Sequence, residues 1–223
     1  MKALRFVWVL LVALALLSGC APQTTTTESA PPFYTTPQSF FPVQYGLDWV
    51  YQPQGYRGSD PPYRMSILGP GVFAGQPSLR FRFTGRGQDR VFHRQISAEG
   101  VKLLGFEELI SELRATYQPA ILEYPPISLL TVGYRWGGTS KLDVVFTLPN
   151  NKTEYYRGNL EYGYTVMAKN TVELPSGQYE VYRITLDSKD DAGNQNRQEI
   201  WYAPSVGEVR TKEGLVLVGR NFQ

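Results

Sequence analysis

Residues 79–84 read Leu-Arg-Phe-Arg-Phe-Thr, and residues 142–148 read Leu-Asp-Val-Val-Phe-Thr-Leu. In both stretches an apolar side chain recurs at every second position. This period is typical of a strand with one buried and one exposed face, because successive side chains of a strand point to opposite sides of the sheet. The two stretches therefore predict antiparallel β-strands, which commonly keep one face in water.

Further strands are predicted from similar apolar, β-branched and aromatic composition. Glu99-Gly100, Asn150-Asn151 and Glu213-Gly214 are turn sequences between such segments, so neighbouring strands are expected to pair as hairpins. The resulting fold class is mainly β, a curved antiparallel sheet or open barrel. The additional predicted strands cover residues 48–52, 64–68, 91–97, 101–106, 153–159, 164–169, 180–186, 198–202, 206–211 and 215–218.

The segment Glu107 to Tyr117 departs from this pattern. Leu109, Ile110 and Leu113 would fall on one face of a helix, and Pro119 soon forces extended chain. We therefore predict at most one short helix, at residues 107–117. If the barrel has a hollow, this helix is its candidate lid or plug.

A four-residue pattern occurs twice. Gly46-Leu47-Asp48-Trp49 and Gly133-Tyr134-Arg135-Trp136 share the form Gly-x-x-Trp and lie 87 positions apart. One interpretation is that the domain has two divergent halves, with Trp49 and Trp136 as core residues at equivalent strand starts. The other is coincidence, since glycine and tryptophan are common where strands begin.

The N-terminus has the composition of a secretory signal peptide. Lys2 and Arg5 precede an unbroken apolar run at residues 7–17, which is shorter than the roughly 20 residues of a membrane-spanning helix. Leu17-Ser18-Gly19-Cys20 resembles the bacterial lipobox, and this resemblance implies cleavage after Gly19 and acylation of Cys20. Several acyl chains hold a soluble domain on a bilayer. The alternative is an ordinary signal peptide with Cys20 as a free thiol.

Residues 21–39 contain six Thr, four Pro and a single charged residue. This composition predicts a flexible tether with an average length of roughly 25 Å, or alternatively a glycosylated or partner-binding stalk. The predicted organisation is a lipoprotein signal peptide at 1–19, the lipidated Cys20 and tether at 20–39, and an antiparallel β domain at 40–223. The expected location is the extracytoplasmic side of a membrane in the cell envelope, the outer membrane if the cell has two.

The composition excludes several functional classes. The 223 residues include 22 basic and 20 acidic ones, and two of the basic residues fall in the signal peptide, so the mature chain is predicted to be neutral. A neutral chain lacks the long-range field that steers proteins to nucleic acids. One His and one Cys cannot form a Cys/His zinc site, a Cys–His catalytic pair or a disulfide framework.

Few polar residues suggest chemistry. His93 could act as a general base, but no second His and no Gly-x-Ser-x-Gly motif accompanies it, so a surface or core histidine is preferred. A loop with Asp187, Asp190, Asp191 and Asn194 could hold Ca²⁺, but its spacing departs from that of a calcium loop. It is preferably interpreted as a solvated hairpin tip. No catalytic residue, metal or cofactor is therefore predicted, and the chain is expected not to be an enzyme.

A pair of adjacent glutamates, a set of four arginines and the tyrosines are the remaining candidates for a site. Glu107 and Glu108 are adjacent, so on a strand they face opposite sides and cannot act as a catalytic pair. Arg80, Arg82, Arg86 and Arg90 form a basic stripe, interpreted as a solvated face or as a contact for lipid phosphates. The 15 Tyr residues either fill the core or line a groove for an acyl chain or an extended peptide.

Three segments resemble a broad group of uncharacterised bacterial envelope lipoproteins. They are residues 41–51, which contain Pro-x-x-x-Gly-x-x-Trp-x-Tyr, residues 172–184, and residues 201–209, which read Trp-Tyr-Ala-Pro-Ser-Val-Gly-Glu-Val. Leu174 replaces a valine of the group's pattern. Ser205 stands where glycine is usual, which leaves the backbone conformation of that turn open. The resemblance covers most of residues 40–210, implies a fold similar to the open β-barrels of lipoprotein-carrier proteins, and brings no catalytic residues.

Two functions are compatible with these features. The first is a non-enzymatic, lipid-anchored envelope protein whose curved sheet binds an apolar ligand or lipid. The second is a structural or assembly subunit of a cell-surface complex that acts through protein–protein contacts, for example at sheet edges. A deep apolar hollow would favour the first function, and a filled core with an exposed apolar patch would favour the second.

Overall fold

The computed structural model describes residue 40, residues 42–148 and residues 150–223. The predictions for the signal peptide, Cys20 and the tether therefore lie outside the described residues. The strands are β1 (Asp48–Pro53), β2 (Tyr63–Phe73), β3 (Gln76–Gly85), β4 (Gln88–Ser97), β5 (Gly100–Glu108), β6 (Leu113–Tyr124), β7 (Arg135–Thr147), β8 (Thr153–Leu174), β9 (Gly177–Asp190), β10 (Gln195–Ala203), β11 (Gly207–Arg210) and β12 (Leu215–Arg220).

These strands form a closed antiparallel barrel in which each strand pairs with its neighbours in sequence, and β12 returns to pair with β1. The prediction of a mainly β, antiparallel fold is confirmed. The predicted strands at residues 153–159 and 164–169 are one strand, β8, of 22 residues. Closure leaves few exposed backbone groups at sheet edges, which is the usual advantage of a barrel over an open sheet.

The predicted helix at residues 107–117 is wrong. Glu107 and Glu108 end β5, a turn follows at residues 109–112, and β6 then pairs back onto β5. Two of the three apolar residues that suggested a helical face are on the turn, where Leu109 is 46% and Ile110 63% exposed, and the third, Leu113, begins β6. Extended chain prevails because β6 bonds to both β5 and β7, whereas a helix would leave both neighbouring strands with unpaired edges.

Helical structure in the described residues is confined to a 3-10 turn at Ile127–Leu129. In this same part of the chain, no helix is long and apolar enough to cross a bilayer.

The two ends of the barrel differ in what they carry. We call the end at which β1 begins the tether end, because the chain enters there through Phe40, which is buried and accepts a 2.7 Å hydrogen bond from the Tyr202 hydroxyl. The opposite, far end carries the β5–β6, β7–β8, β9–β10 and β11–β12 turns, since strands alternate in direction around the barrel. Phe40, the first described residue, and the far-end turns therefore lie at opposite ends of the barrel.

The two Gly-x-x-Trp segments have the same backbone arrangement. Gly46 and Gly133 both have positive φ, 81° and 89°, which glycine adopts without steric cost. Their amides donate to the carbonyls of Ile67 and Val166, at 3.2 and 2.8 Å, and each of these two residues donates back to the residue after the glycine at 3.0 Å. A β-bulge follows Ile67 in β2 and Val166 in β8. The interpretation as two divergent halves, β1–β6 and β7–β12, is favoured over coincidence.

The two tryptophans occupy the second position of β1 and of β7, as predicted. Trp49 is only 1% exposed, and its indole N–H donates to the carbonyl of Val206 at 2.8 Å. Trp136 is half-buried and donates to the carbonyl of Leu122 at 3.1 Å. The prediction of a core residue is therefore confirmed for Trp49, while Trp136 is partly buried and packs against the core.

The turn between β10 and β11 contains Ser205 at a φ of 66°. This is the left-handed region that glycine occupies most easily. Ser205 thus adopts the conformation expected of the glycine that is usual at this position in the lipoprotein group it resembles.

Candidate functional sites

The interior of the barrel is filled by side chains of the protein. Aromatic and aliphatic residues from all sides of the barrel form one core, which includes the buried residues Tyr51, Tyr124, Tyr164 and Tyr202. A cavity of about 40 Å³ lies among them, which is room for roughly one or two water molecules. In the described residues, the clustered tyrosines therefore serve mainly as core, and a long acyl chain does not fit inside.

A charged pair lies in this core. Arg94 donates to the Glu123 carboxylate through two nitrogens, at 2.6 and 3.2 Å, and the two side chains are only 8% and 11% exposed. The Arg94 guanidinium also lies over the rings of Phe81 and Phe92, at 5.0 and 5.1 Å from their centres. Burial opposes the charge of Arg94, but attraction to Glu123 outweighs it and raises the pKa of the guanidinium.

Glu208 lies beside this pair and faces the same cavity. Its Oε1 accepts a 2.8 Å hydrogen bond from the Tyr124 hydroxyl, and its backbone carbonyl accepts one of 2.8 Å from the Tyr51 hydroxyl. Burial raises the pKa of Glu208 to about 7, while the charge of Arg94 lowers it and that of Glu123 raises it further. The cavity is therefore lined by a part-buried carboxyl group whose pKa lies near neutral.

We expect Glu208 to make the protein less stable as the pH rises towards 8. The unfolded carboxyl has a pKa near 4.5 and the folded one near 7, so the stabilising contribution is complete below the lower value and is lost through the higher one. The loss is at most about 3 kcal/mol. Glu208→Gln stays neutral and keeps an oxygen for Tyr124, so urea unfolding of this variant should lack this pH dependence.

Because His93 also titrates, the native chain and the Glu208→Gln variant are compared at each pH. Burial lowers the pKa of His93, with partial compensation by Glu107, so the contribution of His93 is lost as the pH falls below its ordinary value of 6.5. Both chains contain His93, and the difference between them cancels its effect. A difference in unfolding free energy that is constant between about pH 5 and 8 would contradict a titrating Glu208.

His93 lies on the outer face of the barrel, where neighbouring side chains bury it and both of its ring nitrogens have partners. It is 3% exposed, lies at 3.2 Å from the Ser78 hydroxyl and 3.1 Å from the Glu107 carboxylate, and stacks on Phe73 with ring centres 4.1 Å apart. These contacts use both ring nitrogens and one ring face. The arrangement supports the interpretation of His93 as a structural residue.

The acidic loop is the β9–β10 turn. Asp187 pairs with Arg197, and Asp190 accepts hydrogen bonds from the backbone and side chain of Asn194. Asp191 accepts a 2.6 Å hydrogen bond from the backbone amide of Asn159 in β8. These oxygens are directed to separate partners, and no group of three or more His, Cys, Asp or Glu residues suited to a metal occurs among the described residues.

The remaining charged candidates are mostly neutralised by local partners. Glu107 contacts His93 while Glu108 contacts Arg90 on the other side of the strand, as the sequence predicted for adjacent residues. In the basic stripe, Arg82 pairs with Asp89 at 2.7 Å and Arg86 with Asp60 at 3.9 Å. With its charges largely paired, the stripe offers a weak field for lipid phosphates.

The far end carries a different kind of feature, a hairpin that is exposed on both faces. Residues 153–159 of β8 pair with β7 alone, because β9 joins β8 only from Leu160 onwards. Tyr155 is 72% and Tyr156 45% exposed, and these neighbours point to opposite faces of the hairpin. β7 is paired on its other side with β6.

The β5–β6 turn lies next to this hairpin, since Leu113 pairs with Phe146. It exposes Leu109 and Ile110, and the hairpin exposes Tyr155 and Tyr156, so large apolar side chains of the turn and of the hairpin are exposed at the same end of the barrel. We call residues 109–112, 141–148 and 150–159 together the arm. Grouped exposed apolar side chains of this kind are more common at interaction sites than scattered ones.

The charged cluster in the core was missed by sequence analysis, although a signal for it exists. Arg94 lies between Phe92 and Ile96 at a spacing of two, and Glu123 lies two positions after Ile121. Period-two alternation places such residues on the same face as their buried neighbours. A charged residue at an inward position should therefore have been interpreted as half of a buried pair.

Comparisons with known proteins identify no family for this chain. No protein-family description matches the sequence, and no curated protein matches it. Among solved structures, one from Bacteroides fragilis NCTC 9343, named provisionally as an exported protein with a YmcC-like fold, is 13% identical, with a TM-score of 0.49 over 82% of this chain and 99% of that one. Another, from Parabacteroides distasonis ATCC 8503, is named provisionally as a lipoprotein and is 12% identical, with a TM-score of 0.38 over 82% and 98%. Similarity to lipoprotein-carrier barrels stays a prediction.

Proposed function

We propose that this protein is a non-enzymatic, lipid-anchored protein of the bacterial envelope that acts as an assembly subunit through protein–protein contacts of its arm. The observation that carries the proposal is the exposure of two large side chains at the far end. Ile110, in the β5–β6 turn, is 63% exposed, and Tyr155, in the adjacent β7–β8 hairpin, is 72% exposed. Phe40, the first described residue after the predicted tether, lies at the opposite end. A domain anchored in this way presents the arm away from its point of attachment.

The filled interior supports this function over ligand binding. A pocket for a lipid-sized ligand usually has a volume of about 300 to 1,000 Å³, whereas the interior cavity has about 40 Å³ and is lined by charged Arg94, Glu123 and Glu208. An acyl chain would have to displace core side chains and would bury these charges without water. Binding of an apolar ligand therefore stays a prediction from the sequence.

The anchor is tested at Cys20. We expect Cys20→Ser to leave the precursor unprocessed or to release the protein from the membrane fraction, because serine cannot form the thioether to diacylglycerol. Fractionation and metabolic labelling with palmitate measure both results. Continued incorporation of label into the serine variant would contradict acylation at this position.

The arm is tested by photo-cross-linking in intact cells. A photo-reactive residue at Ile110 is expected to give an adduct heavier than the monomer, and the same residue at exposed Gln178, near the tether end, is expected to give none. Leu109→Asp should remove the Ile110 adduct without changing the melting temperature, since this side chain is 46% exposed. The matched control Val72→Asp, at a site 71% exposed outside the arm, should keep the adduct. Absence of any adduct at Ile110 would refute the proposed function.

A further inference from the structure

The outer side of β8 is a free sheet edge at residues 153–159. Within the described residues no strand pairs there, and all of these residues except Glu154 and Gly158 are exposed. The backbone direction at this edge follows from two hydrogen bonds. The backbone carbonyl of Lys152 accepts from the backbone amide of Leu148, across the turn to β7. The backbone amide of Asn159 donates to the Asp191 carboxylate on the open side. Since the pairing with β7 has no register shift, the N–H and C=O groups of Thr153, Tyr155 and Arg157 point to the open side.

We propose that this edge pairs antiparallel with the same edge of a second copy of the chain, joining the two arms into one continuous sheet. The proposal rests on the proposed function and names its partner. The two-fold axis would pass through Tyr155, so that Tyr155 lies opposite Tyr155 of the second copy, and Thr153 lies opposite Arg157 of the second copy. All the outward N–H and C=O groups of these residues then have partners, which an unpaired strand edge otherwise leaves to water.

Charge favours a second copy as the occupant. Along the edge, Lys152 pairs with Glu154 at 2.8 Å, and Arg157 pairs with Asp143 of β7 at 3.0 Å. The edge therefore has no net charge, and two copies do not repel each other. The register also brings Lys152 of the second copy opposite Gly158, next to the carboxylate of Asp191 that bonds to Asn159. By symmetry this attraction occurs twice.

Side chains on both faces suit the same register. On one face, Arg157 of the second copy lies diagonal to Tyr155, within reach of a cation–π contact. On the other face, Tyr156 lies opposite Glu154 of the second copy. A β-bulge would bend the edge and leave an extra residue unpaired, and none interrupts residues 153–159.

Disulfide trapping in the membranes of cells that produce the full chain tests this register. Two residues that face each other in a hydrogen-bonded antiparallel pair have Cα atoms about 5.5 Å apart, which suits a disulfide. Tyr155→Cys is therefore expected to form a cross-linked dimer under mild oxidation. Lys141 is exposed and lies in the same arm, but on β7, which β8 separates from the two-fold axis. Lys141→Cys is therefore expected to stay monomeric, as is the wild-type chain.

A second pair of variants distinguishes strand pairing from random collision. Added to Tyr155→Cys, Arg157→Pro removes an N–H that points to the open side and should abolish the dimer, whereas Arg157→Ser keeps that N–H and should retain it. Equal dimer from Tyr155→Cys and Lys141→Cys, or none from either, would overturn the proposal. If the cysteine chains stay monomeric but Ile110 still gives heavier photo-adducts, another protein occupies the arm and only the proposed function survives.

Discussion

Trp49→Ala is expected to lower the free energy of unfolding by about 4 kcal/mol, the range for truncating a fully buried tryptophan. Trp49 is 1% exposed, packs edge-on against Phe222 with ring centres 4.9 Å apart, and donates to the Val206 carbonyl. Truncation leaves a cavity and also removes the donor to a carbonyl between β10 and β11. Denaturant unfolding followed by circular dichroism measures the loss.

Trp136 provides the matched comparison, because it occupies the equivalent position in the second half of the barrel. It stacks on Tyr164 with ring centres 5.0 Å apart but is only half-buried. Trp136→Ala should therefore cost less, about 2 kcal/mol, since part of its surface already faces water. Losses of equal size in the two variants, or a loss below about 1 kcal/mol for Trp49→Ala, would contradict this difference in burial.

Arg94→Met is expected to destabilise the fold by a similar amount, about 4 kcal/mol, because it leaves the Glu123 carboxylate buried without a cation. The side chains of this pair are 8% and 11% exposed. Replacing both partners, with Arg94→Met and Glu123→Leu, should recover most of the stability, since no charge then stays in the core. Thermal and urea unfolding of the single and double variants measure both effects.

An exposed ion pair gives the control for this experiment. Arg197 and Asp187 are 75% and 48% exposed, so Arg197→Met should change the unfolding free energy by less than about 1 kcal/mol. If Arg94→Met were as mild as Arg197→Met, water would have to reach Glu123, and the interior would be open. That result would favour binding of a ligand inside the barrel.

The local pattern of the chain was enough to predict most of the strands. Alternation at Leu79, Phe81 and Phe83 is a property of one strand and its two faces, so it is visible without any partner. The same is true of the glycine turns and of the repeated Gly-x-x-Trp segments. The helix prediction for Glu107 to Tyr117 was wrong because Leu109 and Ile110 belong to a turn while Leu113 begins β6, so the apparent helical face combined residues of two different elements.

Barrel closure and the filling of the interior depend on tertiary structure. Barrel closure requires β12 to pair with β1, a contact between the two ends of the domain that no local pattern specifies. Whether the interior is hollow depends on how side chains from all strands fill a shared volume, and here they leave about 40 Å³.

Short segments of the sequence were enough to predict the antiparallel β class, most of the strands, the repeat and a lipid anchor, because the signal for each is local. The meeting of Arg94, Glu123 and Glu208 beside one cavity depends on the assembled barrel, since these residues come from β4, β6 and β11. The free edge at residues 153–159 depends on it too, because β8 extends beyond the end of β9. An edge is free or paired according to where the neighbouring strand ends, and that is a property of the assembled sheet.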